Sequence, residues 1–109
     1  MPTVYKVLGQ SAPSATTDTT LYTVPSLTSA VVSTIAVANR AATSATFRIA
    51  IRPAGATIAN QHYIAYDSTV AANDSITLTL GISLATTDVI TVYGSTANLS
   101  FNAFGVEVS

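Results

Sequence analysis

Hydrophobic and polar residues alternate along several short stretches of the chain. In TFRIAIR, residues 46–52, Phe47, Ile49 and Ile51 fall on one face and the two arginines on the other. In SITLTL, residues 75–80, the isoleucine and both leucines occupy every second position and point inward. A period of two is typical of a strand with one face buried. Both stretches therefore predict half-buried antiparallel strands.

Six further stretches have the composition of strands. They lie at residues 3–9, 20–24, 30–39, 61–67, 88–94 and 99–108. Turn-forming sequences separate them, and no long stretch has helical periodicity, although AGATIAN predicts one short helical turn. The pattern predicts an all-β fold, a single β-sandwich or jelly-roll-like domain over residues 1–109 with about eight antiparallel strands. Residues 11–20 predict a flexible arm that crosses between the sheets or reaches a neighbour.

Charged side chains are scarce in this sequence. They make up 8% of the 109 residues, against about 25% in an ordinary soluble domain, while 18 threonines, 12 serines and 18 alanines dominate. The mass of 11.2 kDa predicts about 5,700 Å² of folded surface, or one formal charge per roughly 600 Å². An ordinary interface takes about 800 Å² from each partner. We therefore expect permanent assembly, with self-association into a homo-oligomer.

The composition also argues against several classes of partner. Four basic residues neutralise few phosphates, so nucleic acid is not expected. The apolar runs are far shorter than the ~20 residues that cross a bilayer, and residues 1–10 lack the features of a signal peptide, so neither a membrane nor secretion is expected. Because the chain has no cysteine, disulfides and thiolate metal sites are excluded. The expected place of synthesis is a cytoplasm.

The stretch RPAGATIANQHYIAYD, residues 52–67, gathers the chain's reactive side chains, including its single histidine. Strand alternation places His62 and Tyr66 on one face and Tyr63 and Asp67 on the other. No cysteine and no suitably placed serine completes a catalytic set, so we expect no enzyme activity, no catalytic residue and no cofactor. The two tyrosines are instead candidates for an interface, with packed rings and hydroxyls at its edge.

Acidic residues offer a second hypothesis, a calcium site. Asp67, Asp74 and Asp88, helped by Asn73, could collect at one end of a sandwich and supply oxygen ligands. Their spacing matches no dedicated calcium-binding loop, and aspartates at the start of strands commonly accept hydrogen bonds from nearby backbone. We therefore interpret these aspartates as side chains that stabilise turns by accepting backbone hydrogen bonds, and no metal is expected.

Three more residues are interface candidates. In NLSFNAFGVEV, alternation puts Phe101 and Phe104 on opposite faces, so Phe101 meets the core and Phe104 meets a neighbour. The alternative is that Phe104 follows a bulge near Gly105 and returns to the same core. Arg48 and Arg52, about 13 Å apart on an extended strand, either form ion pairs across a subunit boundary or keep an exposed face hydrated.

Segments throughout the chain are similar to one known family. They are YKVLGQSAP, LYTVP, FRIAIRPAGA, HYIAYD, AND, LTLG, TDVITVYGS and NLSFNAFG, which span the sequence from about Tyr5 to Glu107. Together they resemble a family of small virion proteins encoded by tailed bacteriophages, notably those of cyanobacteria and marine bacteria. The resemblance lies in the overall pattern, and no catalytic motif is part of it.

This resemblance implies a β-sandwich building block of the particle. We expect a capsid decoration or cement protein that bridges capsomers by burying weakly polar surface and by pairing backbone at strand edges. Its partners would be other copies of itself and the phage major capsid protein, and it would be made in the host bacterial cytoplasm and located in the virion. The alternative is a tail, baseplate or fibre component that binds a host receptor or glycan through Tyr63, Tyr66 or Tyr93.

Overall fold

Two antiparallel β-sheets, packed face to face, form the fold. The computed structural model of the protein describes residues 2–109. The nine strands within these residues are β1 (Thr3–Ser11), β2 (Thr19–Thr23), β3 (Ser29–Asn39), β4 (Ala45–Arg52), β5 (Tyr63–Val70), β6 (Ser75–Leu78), β7 (Ile82–Leu84), β8 (Val89–Gly94) and β9 (Leu99–Val108). No helix in this part of the chain has the length and apolar character needed to cross a membrane.

The strand order is that of a rolled hairpin. Sheet I has the order β1-β9-β3-β6, with β7 also paired to β3, and sheet II has the order β2-β8-β4-β5. Strands pair from the two ends of the chain inward: β1 with β9, β2 with β8, β3 with β6 and β7, and β4 with β5. Successive pairs along this long hairpin alternate between the two sheets. Additional pairs β3–β9 and β4–β8 complete the sheets. This is the arrangement of a jelly roll, which confirms the expected all-β sandwich.

The core lies between the sheets and follows the predicted alternation. Phe47 and Ile49 of β4 are fully buried, and they face Ile35 of β3 and Phe101 of β9. The rings of Phe47 and Phe101 meet edge to face, with centroids 6.2 Å apart. Aromatic pairs favour this geometry, and their large apolar area contributes strongly to the stability of a core. The predicted inward face of β4 is thereby confirmed.

The edge of sheet I differs from the prediction for SITLTL. β6 ends at Leu78, and Leu80, which the alternation places inward, is 52% exposed. The chain leaves β3 at this point, turns through Gly81 with φ of 62°, and returns as β7 to pair with an earlier part of β3. A left-handed turn favours glycine because it has no Cβ. The predicted strand at residues 75–80 is thus shorter than expected, and the ninth strand is β7, at residues 82–84, which the hydrophobic pattern did not predict.

The connection between β4 and β5 also corrects the sequence interpretation. Short 3-10 turns form at Pro53–Gly55 and Asn60–His62, and they overlap the two ends of AGATIAN, residues 54–60, where one helical turn is predicted. His62 therefore lies in a turn and not on a strand, and β5 begins only at Tyr63. The predicted alternation of His62 with its neighbours does not apply.

The segment expected to be an arm links the two sheets. Ser11 still belongs to β1 and Thr19 already belongs to β2, so only residues 12–18 make the crossing from sheet I to sheet II. Pro13 is buried, and the N–H of Thr16 donates a hydrogen bond of 2.8 Å to the carbonyl of Gly94. Of the two predicted roles, crossing between the sheets is the one the structure displays.

Candidate interaction surfaces

Formal charge is distributed unequally between the two outer faces of the sandwich. Arg48, Arg52 and Asp67 lie on the outer face of sheet II, whereas Lys6 and Glu107 point toward the rim between the sheets. The other four charged residues lie in loops. No charged side chain of the described strands lies on the outer face of sheet I, but Arg40, in the loop after β3, reaches one end of this face and donates to the hydroxyl of Ser100 at 2.9 Å.

An apolar patch occupies half of the outer face of sheet I. Strand register aligns Tyr5, Val106 and Val31 in one row across β1, β9 and β3, and Val7 and Phe104 in the next. Tyr5 is 83% exposed, and Val7, Val31 and Phe104 are each more than a third exposed. We call these five residues the sheet I patch. Exposed apolar residues that are contiguous in this way mark candidate interaction sites on soluble proteins.

Phe104 lies in this patch as the alternation of β9 predicts. Leu99, Phe101 and Ala103 have no exposed surface, while Phe104 points outward with 37% of its surface exposed. The alternative, that Phe104 returns to the core after a bulge at Gly105, is wrong. The irregularities of this region are instead extra residues on the neighbouring strands, at Ser33 of β3 and Leu8 of β1.

The outer face of sheet II carries a stack of aromatic rings around one arginine. The guanidinium carbon of Arg48 lies 4.2 Å from the ring centroid of Tyr66 and 4.4 Å from that of Tyr93. Arg48 Nε also donates to Asp67 Oδ1 at 2.7 Å. Tyr63 extends the stack, with its ring edge to face with Tyr66 at 4.8 Å. We call these five residues the arginine–tyrosine stack. Cation–π contacts of this kind are attractive, more so when they are partly shielded from water.

Two bulges in β5 bring this stack together. Ser68 pairs with Phe47 and Ala65 pairs with Ile49, so Tyr66 and Asp67 together oppose the single residue Arg48. Asp67 adopts φ of 52°, a left-handed conformation that aspartate tolerates better than most residues. A bulge cancels the period of two locally, so both side chains lie on the face of Arg48.

The predicted separation of Tyr63 from Tyr66 is therefore wrong. A second irregularity, at Ile64, lets Tyr63 pair with Ala50 and reach the same outer face. The pairing of Arg48 is also intramolecular, because its carboxylate partner Asp67 belongs to the same chain and not to a second subunit.

Arg52 is likewise used within the chain. Its guanidinium donates to the carbonyl oxygens of Ala56 at 2.7 Å and Gly55 at 3.0 Å, and to the hydroxyl of Thr91 at 3.2 Å. These contacts hold the loop after β4 against sheet II. All five predicted interface residues lie on outer faces, and the guanidinium of Arg52 is engaged by three groups of its own chain.

The histidine serves the backbone of its own turn. His62 is buried, and its Nδ1 accepts a hydrogen bond of 3.0 Å from the N–H of Ala59. That contact satisfies a backbone donor at the start of the turn, as capping side chains do in helices. The nearby Asp67 is engaged by Arg48, so the two groups do not form an acid–base pair.

The aspartates proposed as calcium ligands do not converge. Asp74 accepts from the N–H of Ser75 at 2.8 Å, and Asp88 accepts from the N–H groups of Ala85 at 2.8 Å and Ala54 at 2.9 Å. Among the residues that the structure describes, no three His, Asp or Glu side chains lie close enough together to hold a metal ion. Asp74 and Asp88 have the turn roles that their positions predict.

The structure contains two polar networks whose residues were not among the predicted functional residues. Asn39, 3% exposed at the end of β3, donates its amide to the carbonyls of Thr43, Val70 and Ala71, and accepts from the N–H of Ala41. The sequence contains a signal for this buried asparagine, because the alternation in AVVSTIAVAN, residues 30–39, places it on the inward face of the strand. An inward polar residue must find partners, and here it joins two loops.

The second such feature lies at the rim between the sheets. Tyr22 of β2 donates its hydroxyl to Glu107 of β9, and Lys6 of β1 pairs with the same carboxylate at 3.1 Å. The hydrogen bond from Tyr22, with the help of Lys6, lowers the pKa of Glu107 below its usual value. Burial, together with the hydrogen bond to Glu107, raises the pKa of Tyr22. This network links the first and last strands of sheet I to sheet II.

No model of a known protein family matches this chain, and none of the curated proteins is significantly similar to it. The chemistry of the molecular surface is therefore the basis for a function. That surface offers the sheet I patch and the arginine–tyrosine stack of sheet II.

Proposed function

We propose that the protein is a structural component of a bacteriophage particle, a decoration protein that stabilises the head by bridging capsomers. The sheet I patch carries this proposal. The phage assignment itself comes from the resemblance of the sequence to small virion proteins. The jelly-roll arrangement occurs in viral capsid proteins, but also in lectins and cupins, so the fold adds only compatibility.

The size of this face suits a permanent interface. Four strands spaced by about 4.8 Å, the longest of 11 residues at about 3.3 Å each, cover up to about 700 Å². A standard interface takes about 800 Å² from each partner. Because the sheet I patch contains no charged residue, its burial requires no desolvation of ions, which is the costly part of burying polar surface.

The strand edges are poorly suited to pairing with a neighbour. Bulges interrupt β1 at Leu8, β2 at Leu21, and β5 at two places, while β6 and β7 have only four and three residues. Bulges and short edge strands prevent the continuous backbone pairing that edge-to-edge association requires. We therefore assign the bridging to the face of sheet I, in place of the edge pairing expected from the sequence.

The proposal is tested by adding purified protein to phage heads that lack it. We expect it to bind these heads and to raise the temperature or osmotic shock at which they release DNA. Val31→Lys places a charge in the centre of the sheet I patch and should abolish both effects. Thr69→Lys adds the same charge on an exposed residue of β5 and serves as the matched control. Failure of the wild type to bind heads, or full activity of Val31→Lys, would reject the proposal.

The stack on sheet II favours a second candidate, a glycan-binding module of a tail, baseplate or fibre. Tyr63, Tyr66 and Tyr93 do belong to one cluster, and Asn60 lines a groove beside the first two. Sugars bind on exposed faces of aromatic rings with polar neighbours. Arg48 already covers one face of Tyr66 and one of Tyr93, but Tyr66 remains 56% exposed and lines the groove together with Tyr63 and Asn60.

This second candidate has its own experiment. Fluorescently labelled protein should bind host cells, and Tyr63→Ala should remove that binding while Val31→Lys retains it. If the wild type binds neither host cells nor host-derived oligosaccharides, the glycan role is rejected. Binding to cells that survives Tyr63→Ala would reject this site.

A further inference from the structure

We propose that His62 makes the loop between β4 and β5 sensitive to pH. The turn that this histidine closes requires a neutral imidazole, so protonation opens the turn. Residues in and after the turn line a groove, at Asn60, Tyr63 and Tyr66, and the groove changes with the turn. The inference goes beyond the proposed functions and depends on neither of them, since it concerns how the chain itself responds to acid.

Two reciprocal hydrogen bonds join Ala59 to His62. The N–H of His62 donates to the carbonyl of Ala59 at 3.0 Å, and the N–H of Ala59 donates to Nδ1 of His62 at 3.0 Å. The second bond needs a lone pair on Nδ1, which the imidazole has only while its proton is on Nε2. Both nitrogens of the charged ring are donors, so protonation places one N–H against another. The closed turn is therefore compatible only with the neutral ring.

Burial of the imidazole acts in the same direction. His62 is 9% exposed, and a charged group that is buried without a partner is strongly destabilised. Opening of the turn exposes the ring to water, which stabilises its charge. Histidine side chains ordinarily take up their proton between about pH 8 and pH 5. The open turn binds one proton more than the closed turn, so closure is favoured at the upper end of this range and is lost as the pH falls.

The ionisable groups around the turn do not offer a partner for a charged imidazole. β4 packs against the turn and carries Arg48 and Arg52, and β5 carries Tyr63, Tyr66 and Asp67. Arg52 has the same charge as an imidazolium, and the Asp67 carboxylate is already paired with Arg48. The loop at residues 53–61, and β3, β6 and β7 of the facing sheet, contain no ionisable residue. A positive charge on the ring is therefore not compensated while the turn is closed.

The opening is confined to the second half of the loop. Arg52 holds the first half through two backbone carbonyls, at 2.7 and 3.0 Å, and the pairing of Tyr63 with Ala50 holds the start of β5. Residues 57–62 lie between these two attachments. Asn60 belongs to this segment and Tyr63 follows it directly, so the groove changes shape while the sandwich stays intact.

Nuclear magnetic resonance between about pH 8 and pH 5 tests this inference. Because the chain has a single histidine, its imidazole signal reports the protonation of His62 without ambiguity. Amide hydrogen exchange, corrected for its intrinsic pH dependence, reports the hydrogen bond of the Ala59 N–H. We expect the protection of this amide to fall at least about tenfold as the imidazole becomes charged.

His62→Asn is the matched variant, because an asparagine Oδ1 can accept from the same N–H and does not ionise. Its Ala59 amide should keep a constant protection over the whole range. An imidazole that becomes charged while Ala59 stays protected overturns the inference, and so does an imidazole that remains neutral down to about pH 5. An equal loss of protection in His62→Asn also overturns it, since the change then belongs to another group. If this variant does not fold, the two signals of the wild type still decide.

Discussion

Replacement of Phe101 by alanine tests the assignment of the two faces of β9. Phe101 has no exposed surface, and its ring packs edge to face against Phe47 in the centre of the sandwich. Truncation of a fully buried phenylalanine costs about 3–5 kcal/mol, since the site loses apolar burial and retains a cavity. A chain of this size has a total stability of about 5–15 kcal/mol. The melting temperature should therefore fall by about 12–20 °C.

Phe104→Ala is the matched control, with the same substitution three residues along the same strand. Phe104 is 37% exposed on the outer face, so its truncation leaves no cavity and should cost about 1 kcal/mol. Urea unfolding at protein concentrations low enough to exclude association gives both free energies of unfolding. If Phe101→Ala does not fold, Phe101→Leu should still cost about 1–2 kcal/mol. Equal costs for the two alanine variants would refute the assignment of inner and outer faces.

Three further predictions concern polar groups. Asn39→Ala should cost about 2–3 kcal/mol in urea unfolding, because it leaves buried carbonyls of two loops without donors; a cost below about 0.5 kcal/mol would contradict this role. The folded-state pKa of Glu107 lies below its usual 4.5, so its contact with Tyr22 stabilises the fold at neutral pH and is lost as the pH falls through the folded value. The stability difference between the wild type and Glu107→Gln should therefore shrink from pH 7 to about pH 3, and a constant difference would exclude this linkage. Asp67→Asn should cost less than about 1 kcal/mol, since the ion pair with Arg48 is exposed and asparagine tolerates the left-handed backbone; Asp67→Val should cost clearly more in thermal melts.

The strands that pack regularly could be predicted from the sequence. Phe47 and Ile49 on β4, and Phe101 on β9, fall on the buried face because period-two alternation directly reflects which side of a sheet meets the core. Leu80 broke the same rule because its strand leaves the sheet at Leu78. Where a strand ends is decided by its neighbours, and this information is not local in the sequence.

The arginine–tyrosine stack could be predicted only in part. The sequence predicts Arg48, Tyr63 and Tyr66 as interface residues, but their mutual contacts depend on extra residues in β5 that no hydrophobic pattern signals. Tyr93 joins them because β8 pairs with β4, which is a property of the strand order. The inward position of Asn39 follows from the alternation of β3, but the loops that its amide joins are brought together only by the tertiary fold.

The pairing of β1 with β9 has a consequence for how the chain folds. Thr3 lies opposite Val108, and the N–H of Ser109 donates to the carbonyl of Pro2, so the two ends of the fold meet. During synthesis β1 therefore remains unpaired until β9, its only partner strand in sheet I, has been made. The first pair able to form is β4 with β5, which are neighbours in sequence, and pairing would then extend outward along the rolled hairpin. Folds that depend on such distant contacts form slowly, so we expect the newly made chain to remain incompletely folded until its last strand is available.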